Sequence, residues 1–400
     1  MTHVLFVAAW WPSEEEPLNG IFIREHALAI SNFAKVTVIY IHHLQKSTSW
    51  SAFPSKATKE VEQINENLHV VSYNIEFRIR RFGILEWQLT NLISGLIKEF
   101  ENTTPVDIIH LNILHFLIPN LILKNSERFK KPIVLTEHST FLHTEIYQLP
   151  QEKVIAQKNK FRILLNSPFL RSVMPVSRQL GEVLINDYQT PSEKISIVAN
   201  IANDCFLGKI INLPVTTDEI VIFAAASWQD SKDPLLFFEM LKHLRKEKNE
   251  LYFKLCIHWG GAGKYMSSVK SFVDKELTDL KISFLGRIDK TIIAEYMSQS
   301  HFLIHPTIAE NLPCIIIESL SSGLPVLTAD VNGCDELINP SNGILYQAKD
   351  IKSLYHKFLE MIDRLPTFSR HEIAFDAREK YSPGAIGMQI NEIYNKILSS

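Results

Sequence analysis

The sequence has few of the features that assign a protein to a specialised class. Only four cysteines occur among its 400 residues, at Cys205, Cys256, Cys314 and Cys334. None forms a C-x-x-C pair or has a histidine at a zinc-type spacing, which argues against a disulfide framework and a structural metal. This usage of cysteine fits a reducing cytoplasmic compartment.

Long apolar runs and an excess of one charge are also missing. No segment reaches the ~18 consecutive apolar residues of a membrane-spanning helix. The N-terminal "MTHVLFVAAWWP" lacks a positively charged region and a small-residue cleavage site, so we predict a first strand rather than a signal peptide. The net charge of −3 argues against a dedicated nucleic-acid binder, which would need cations to neutralise phosphates.

Short apolar runs alternate with helical patterns along the whole chain. We predict a first series of strands at "HVLFVAAW", "KVTVIYI", "VDIIHLN", "PIVLTEH" and "SVMPVS". A second series follows at "IVIFAAAS", "YFKLCIHW", "KISFLG", "HFLIHP", "LPVLTAD" and "GILYQ". Strands that alternate with helices are typical of parallel sheets covered by helices on both faces.

The two series predict two doubly wound, Rossmann-like α/β domains that face a central cleft, the default place for a ligand. We place the first domain at residues 1–206 and the second at 207–382. The last helical segment, 383–400, could pack on either half, including back on the first. The polar stretch Gln45–Glu66 suggests a long loop with a partial helix.

The start of a predicted helix in the second half is the clearest indication of a binding site. In "HPTIAENLPCIIIESLSSG", Pro313 fits the first turn of a helix that ends at Gly323. Backbone N–H groups near Asn311 and Leu312 then lie just beyond the strand "FLIHP". Because a helix N-terminus carries unpaired donors and a partial positive charge, we predict an anion site there.

Two glutamates flank this helix start. Glu310 precedes the helix and Glu318 lies about a turn and a half inside it, so the carboxylates are too far apart to share a proton. They suit the two ends of an extended ligand with an anionic middle, such as a sugar and a ribose joined by a diphosphate. Taken singly, each would more often be a solvated carboxylate.

The same stretch resembles the E-x7-E region of retaining glycosyltransferases, and "SGLPVLTADVNGCDELI" is similar to the segment that follows that region. Other segments resemble family-four glycosyltransferases in the same order: "WPSEEEPLNGIFIREHALAIS", "DIIHLN", "IVLTEHS", "VMPVSRQL", "IVANIANDCF", "SWQDSKDPLLFFEML", "HWGGAG" and "ISFLGRI". The resemblance covers nearly the whole chain. It implies the GT-B fold, a nucleotide-diphosphate sugar as co-substrate, and no metal or other cofactor.

The resemblance also implies roles for single residues. Glu310 would bind hydroxyls of the donor sugar and Glu318 those of the ribose, since an ionised carboxylate accepts well from a vicinal diol. Lys232 would neutralise the departing diphosphate. Ser227 replaces an arginine of the family and keeps one hydrogen-bond donor, while Arg287 could supply the missing charge.

Three further residues complete the predicted site. Gly20 would let backbone N–H groups approach a phosphate or the reacting sugar, although an ordinary helix-entry turn is the alternative. His138 would face the transferred sugar, although a lone histidine is more often a core or loop residue. Gly261, in "WGGAGK", would lie beside the nucleotide. The catalytic candidates are His138, Lys232 and Glu310, and the donor-binding candidates are Gly20, Ser227, Lys232, Gly261, Arg287, Glu310, Asn311, Leu312 and Glu318.

The implied function is a metal-independent, retaining hexosyltransferase of bacterial surface polysaccharide synthesis. It would move a hexose or related sugar from a nucleotide-diphosphate sugar to a glycan or polyprenyl-linked acceptor. No two carboxylates are paired as in a glycosidase, so we expect front-face displacement in which the leaving phosphate accepts the acceptor proton. A nucleotide-sugar 2-epimerase and a non-catalytic sugar-binding subunit are the alternatives.

A basic and aromatic segment bears on the acceptor. Arg78, Arg80 and Arg81 stand among apolar residues that include Trp87, a combination that could dock to an anionic membrane surface. An amphipathic core helix with a charged cap fits the same pattern. We therefore expect the protein in the cytoplasm, with the inner face of the membrane as one place of action.

Overall fold

The computed structural model describes residues 1–13, 16, 19–45, 56–77, 82–142, 145–211, 213 and 219–400. These residues form two compact units. The first unit consists of Met1–Ala199 and Ile386–Ser400, and the second of Asn200–Ala385. The division therefore falls after Ala199, a few residues before the predicted boundary at 206.

The first unit is built around a seven-stranded sheet. Its strands are β1 (His3–Ala8), β2 (Lys35–Gln45), β3 (Lys56–Asn65), β4 (Leu68–Phe77), β5 (Ile108–Asn112), β6 (Ile133–Glu137) and β7 (Leu170–Pro175). They lie in the order β3-β4-β2-β1-β5-β6-β7, and every neighbouring pair except β3–β4 is parallel. Every residue of β1, β5 and β6 is buried, as expected for central strands covered on both faces.

Strand β3 corrects the predicted loop at Gln45–Glu66. Lys56–Asn65 is an edge strand that pairs antiparallel with β4. Its sequence, "KATKEVEQIN", is rich in charge, and residues 58–63 are exposed. Charged residues are common on sheet edges because they discourage pairing with other chains. The apolar run that marked the predicted strands is therefore absent here.

In the described part of residues 1–199, six α-helices accompany the sheet, namely α1 (Ile21–Ser31), α2 (Phe82–Thr103), α3 (Leu117–Lys124), α4 (Ser126–Phe129), α5 (Gln151–Leu165) and α6 (Arg178–Asn186). Apolar side chains of α2, α3, α5 and α6 pack with the strands into one buried core. The apolar side chains of these four helices thus explain why the helices fold against the sheet.

The second unit contains a six-stranded sheet in which all neighbouring strands are parallel. Its strands are β8 (Ile220–Ser227), β9 (Leu255–Ala262), β10 (Lys281–Gly286), β11 (Phe302–His305), β12 (Val326–Asp330) and β13 (Gly343–Gln347), in the order β10-β9-β8-β11-β12-β13. The remaining helices are α7 (Pro234–Glu247), α8 (Asn249–Phe253), α9 (Met266–Glu276), α10 (Lys290–Ser298), α11 (Cys314–Ser321), α12 (Ile351–Arg364), α13 (Arg370–Tyr381) and α14 (Pro383–Leu398). All strands predicted for this half are present.

Helix α14 begins in the second unit and runs into the first. The Tyr394 hydroxyl lies 2.6 Å from His110 Nδ1, and His110 Nε2 lies 2.7 Å from Thr136 Oγ1, all three groups being buried. At Gly387 the helix passes so close to α1 that an added Cβ would collide with the Ala29 carbonyl. These contacts attach residues 386–400 to the first unit.

Candidate active site

Apart from Gly20, the predicted donor-binding residues belong to the second unit, where Ser227 and Gly261 lie at the carboxyl ends of β8 and β9. Strand β8 has β9 on one side and β11 on the other, so the chain runs outward from it in both directions. The loops after β8 and β11 therefore flank a topological switch point, where open α/β sheets bind ligands. Ser227 is the exposed last residue of β8. Its partner in the ladder is Ala262, next to Gly261.

The glycines at the end of β9 have a packing role. Gly261 has φ of 102°, and an added Cβ would collide with the Ala226 carbonyl. Gly263 approaches the Trp228 carbonyl in the same way, and Trp228 Nε1–H donates to the Gly260 carbonyl at 2.8 Å. The glycines thus allow the ends of β8 and β9 to meet. A nucleotide contact of Gly261 stays a prediction.

The chain enters α11 through a buried turn. Pro313 is the residue before the helix, with φ −70° and ψ 115°, and not part of its first turn as predicted. Asn311 and Leu312 are both buried, and the Leu312 carbonyl accepts from Asn200 Nδ2 at 2.7 Å. Gly333 lies against this turn so closely that a side chain there would collide with the Asn311 carbonyl. The backbone turn that leads into α11 is therefore held in place by Asn200 and Gly333.

The Glu310 carboxylate is the centre of a polar cluster. Its Oε1 accepts from Lys232 Nζ, from His305 Nε2 at 2.7 Å and from Thr307 Oγ1 at 3.0 Å. None of the described residues donates a hydrogen bond to its Oε2. Three donors thus fix one carboxylate oxygen, while the other accepts no hydrogen bond from the described residues.

Backbone contacts bring the lysine to this cluster. Lys232 and Thr307 form an isolated antiparallel bridge between the loops after β8 and β11. The Ser231 carbonyl accepts from Thr307 Oγ1 at 2.8 Å and from the Ile308 N–H at 2.9 Å. The two predicted catalytic residues of this unit therefore lie on two loops that are hydrogen-bonded to each other.

Charge and burial set the protonation of this cluster. Burial opposes ionisation of Glu310, but the Lys232 charge and the His305 hydrogen bond together lower its pKa to about 2. Burial, followed by the Lys232 charge, lowers the pKa of His305. The imidazole is therefore neutral near pH 7, and the ionised carboxylate requires its proton to be on Nε2.

Glu318 is buried and paired with a cation that the sequence analysis missed. Lys290 Nζ lies 3.1 Å from Glu318 Oε1, and their side chains are 16% and 6% exposed. Lys290 is the first residue of α10, and a lysine at that position does not by itself indicate a buried ion pair. Arg287, by contrast, is exposed and forms no ion pair with a described residue. Its role as a replacement for the family arginine stays a prediction.

His305 and Thr307 also escaped the sequence analysis. Both belong to "HPT" at the end of β11, whose carboxyl end had already been assigned to the site. A single histidine on a buried strand is usually a satisfied core residue, so its type alone gave no reason to choose it. Its distance of five residues from Glu310 becomes informative only when the turn between them is known.

The first unit places two other candidates at the carboxyl edge of its own sheet. Gly20 is the residue before α1, with φ of 69°, and an added Cβ would lie 2.6 Å from the carbonyl carbon of Trp10. His138 directly follows β6, and its ring lies 4.8 Å from Phe22 and 5.0 Å from His26, both on α1. Gly20 and His138 therefore belong to one region, whose catalytic role stays a prediction.

Arg78, Arg80 and Arg81 lie outside the described residues. Trp87, on α2, is 66% exposed. Within the described ranges, no helix is long and apolar enough to cross a membrane. In the same ranges, no three His, Cys, Asp or Glu side chains are grouped as the ligands of a metal ion would be.

Sequence patterns of known families match both halves of the chain. The pattern described as "Glycosyltransferase Family 4" matches residues 35–204, and that described as "Glycosyl transferases group 1" matches residues 218–364. The chain belongs to glycosyltransferase family 4. The family predicted from the motifs is thereby confirmed.

Individual relatives of this family-4 chain are distant. The O-antigen chain mannosyltransferase RfbU of Salmonella typhimurium is 28% identical over 213 residues, which are 52% of this chain and 56% of RfbU. The chain thus spans little more than half the length of that relative.

Solved structures resemble the whole chain. Sucrose-phosphate synthase from Thermosynechococcus elongatus has a TM-score of 0.73 at 15% identity, with 100% of both chains covered. Anabaena HepE, solved in complex with UDP and glucose, has a TM-score of 0.68 at 15% identity, with 99% of this chain and 100% of HepE covered. These likenesses confirm the predicted GT-B fold.

Proposed function

We propose that this family-4 protein transfers a sugar from a nucleotide-diphosphate sugar to a glycan or lipid-linked acceptor in bacterial polysaccharide synthesis. The observation that carries the proposal is the Lys232–Glu310 pair, which lies at the switch point of the second sheet and just ahead of the α11 N-terminus. The names of the relatives support it, since RfbU is an O-antigen chain mannosyltransferase and HepE was solved with UDP and glucose.

The second unit would bind the donor through complementary charge. Glu310 Oε2 would accept a hydroxyl of the sugar, while Oε1 stays fixed by its three donors. The diphosphate would lie beside Lys232 and the N-terminus of α11, where a cation and unpaired N–H groups both favour an anion. Glu318, steadied by Lys290, would accept the ribose hydroxyls.

The reaction would then be a metal-independent, retaining displacement. The bond from the sugar C1 to the phosphate oxygen breaks, and a bond from C1 to the acceptor oxygen forms on the same face. The acceptor proton moves to the departing phosphate oxygen, so the nucleoside diphosphate leaves with it. Lys232 and the helix N-terminus stabilise the negative charge of this leaving group, and no cofactor is needed beyond the donor.

The first unit would supply the acceptor side, with His138 at the carboxyl edge of its sheet. A polyprenyl-linked acceptor would bring the protein to the inner face of the membrane. A glycan and a lipid-linked acceptor would both form the same new bond at the sugar C1. The choice of donor can therefore be tested separately from the choice of acceptor.

The test is release of UDP or GDP from a panel of nucleotide sugars, with and without glycan acceptors. We expect Glu310→Gln to lower kcat/KM about 100-fold or more, because the variant keeps the shape but loses the charge that fixes the sugar. The control is Glu250→Gln, an exposed site on α8 of the same unit, which should behave as wild type. Retention of the anomeric configuration would be read from the product by NMR.

Other outcomes would identify other functions. Conversion of the donor alone to its C2 epimer would show the 2-epimerase, and nucleotide-sugar binding without turnover would show a sugar-binding subunit. Undiminished transfer by Glu310→Gln would overturn the assignment of this residue.

A further inference from the structure

Glu137, the last residue of β6, is fully buried and has no role in the function proposed above. Its carboxylate joins two loops. Oε2 accepts the Leu114 N–H at 2.7 Å, and Oε1 accepts the Ser139 N–H at 2.9 Å. Leu114 belongs to the loop after β5 and Ser139 to the loop after β6. One side chain therefore connects the ends of two neighbouring strands.

The loop after β5 needs this support because its backbone is strained. Ile113 has φ of 62°, and a β-branched residue in the left-handed region costs free energy that surrounding contacts must offset. The Ile113 N–H bonds the Thr136 carbonyl at 3.0 Å, and the next N–H bonds Glu137. Both acceptors belong to β6, so this strand holds the strained loop in place.

The two loops carry the aromatic side chains of this edge. The His115 and Phe141 rings stack at 4.6 Å with an interplanar angle of 20°, one ring from each loop. Phe116 lies edge to face with Trp10 at 4.7 Å. His138 directly follows Glu137 in the chain. A shift of the loop after β6 would move His138 directly, and a shift of the loop after β5 would move His115, which stacks on Phe141 of the His138 loop.

A carboxylate suits this task better than an amide. Each of the two Glu137 carboxylate oxygens accepts a hydrogen bond from a backbone N–H of a different loop. A glutamine has a single acceptor oxygen, and its NH2 group would face an N–H donor. Glu137→Gln would therefore release one of the two loops without changing the size of the side chain.

We propose that Glu137 is a positioning residue, which ties the loops after β5 and β6 together and so places His138 and its aromatic neighbours for the acceptor. The inference rests on the proposed function, because an acceptor is required for its effect on transfer. Glu137 is buried beneath these loops and acts through them. It would set how the acceptor is held and would leave donor binding by the second unit unchanged.

The test compares Glu137→Gln with Glu152→Gln, an exposed site on α5 of the same unit. We expect Glu137→Gln to raise the acceptor KM and lower kcat, together by about 10- to 100-fold in kcat/KM, since a small misplacement of reacting groups is costly. UDP and GDP binding, measured by calorimetry, should match wild type in both variants. Glu152→Gln should be unchanged in every assay.

Amide hydrogen exchange provides a readout that needs no activity. In Glu137→Gln, the Leu114 or the Ser139 amide should exchange at least tenfold faster than in wild type, and the His138 ring signals should shift. If Glu137→Gln does not fold, Glu137→Asp takes its place, because the shorter carboxylate cannot reach both loops. Unchanged exchange at both amides, or an acceptor kcat/KM within twofold of wild type, would overturn the proposal. Absence of transfer by the wild type would instead overturn the proposed function, while exchange would still decide whether Glu137 holds the loops.

Discussion

Lys232 and Glu310 form an ion pair in the second unit, and their side chains are only 13% and 12% exposed. They come from loops that follow two neighbouring strands, β8 and β11, at the switch point of the sheet. The cation that a diphosphate would need is therefore present before any ligand binds. Lys232 is paired with the carboxylate that we propose to bind the sugar. The diphosphate and the sugar of a donor would therefore be bound side by side.

Removal of this cation should weaken both the fold and nucleotide binding. Lys232→Met leaves a buried carboxylate without its charge partner, and breaking such a pair costs about 3–5 kcal/mol. We expect a fall of that order in the free energy of unfolding by urea and a weaker Kd for UDP or GDP by calorimetry. Lys242→Met is the control, because the Lys242–Glu276 pair on the same unit is 40% and 27% exposed. An exposed pair contributes about 0–1 kcal/mol, so equal losses in the two variants would contradict the argument.

The Lys290–Glu318 pair predicts a test of ribose recognition. If Glu318 accepts the ribose hydroxyls, the wild type should bind UDP or GDP more tightly than the 2′-deoxy form of the same nucleotide. Glu318→Gln should lose most of this preference, because a neutral amide is a weaker acceptor than a carboxylate. Lys290→Met should weaken binding of both forms but keep the preference. Competition calorimetry measures the six affinities, two nucleotides for each of three proteins, and a preference that survives in Glu318→Gln would remove this residue from the ribose site.

The sequence was informative where local pattern and chemistry coincide. Strands β8 and β13 were predicted to the residue because largely buried parallel strands are short apolar runs with clear ends. Strand β3 was missed because this edge strand is charged and exposed along most of its length. His305 and Lys290 were missed for another reason, since their importance depends on a turn and on a neighbouring helix. When two interacting residues are far apart in the chain, no regular spacing in a single sequence indicates that they meet.

The pH dependence of stability should report on Glu137. Burial raises its pKa from 4.5 to about 7, although the N–H groups of Leu114, Ser139 and His138 act in the opposite direction. A carboxyl group with a raised pKa contributes stability that is fully present below pH 4.5 and is lost as the pH rises through 7. The shift corresponds to about 3 kcal/mol.

Urea unfolding from pH 4.5 to 8 measures this effect. In Glu137→Gln, the free energy of unfolding should lack the part of its pH dependence that comes from Glu137. Glu152→Gln should keep that part. Tyr188 and His138 are titratable groups close to this carboxyl. Tyr188 does not ionise in this range, since burial raises its pKa. Parallel pH profiles of wild type and Glu137→Gln would show that the carboxyl does not titrate in this window.

The last prediction concerns the attachment of α14. Tyr394→Phe removes the hydroxyl that pairs with His110 Nδ1, and it leaves that nitrogen buried without its partner. A buried polar atom that loses its hydrogen bond costs about 1–3 kcal/mol, whereas the ring itself still fills the same space. We expect faster hydrogen exchange along residues 386–398 and a loss of that size in unfolding free energy. Phe375→Leu, at a side chain that is 66% exposed on α13, is the control and should change neither quantity. If α14 were held by apolar packing alone, Tyr394→Phe would be as stable as wild type, because the side chain that packs against the first unit is almost unchanged.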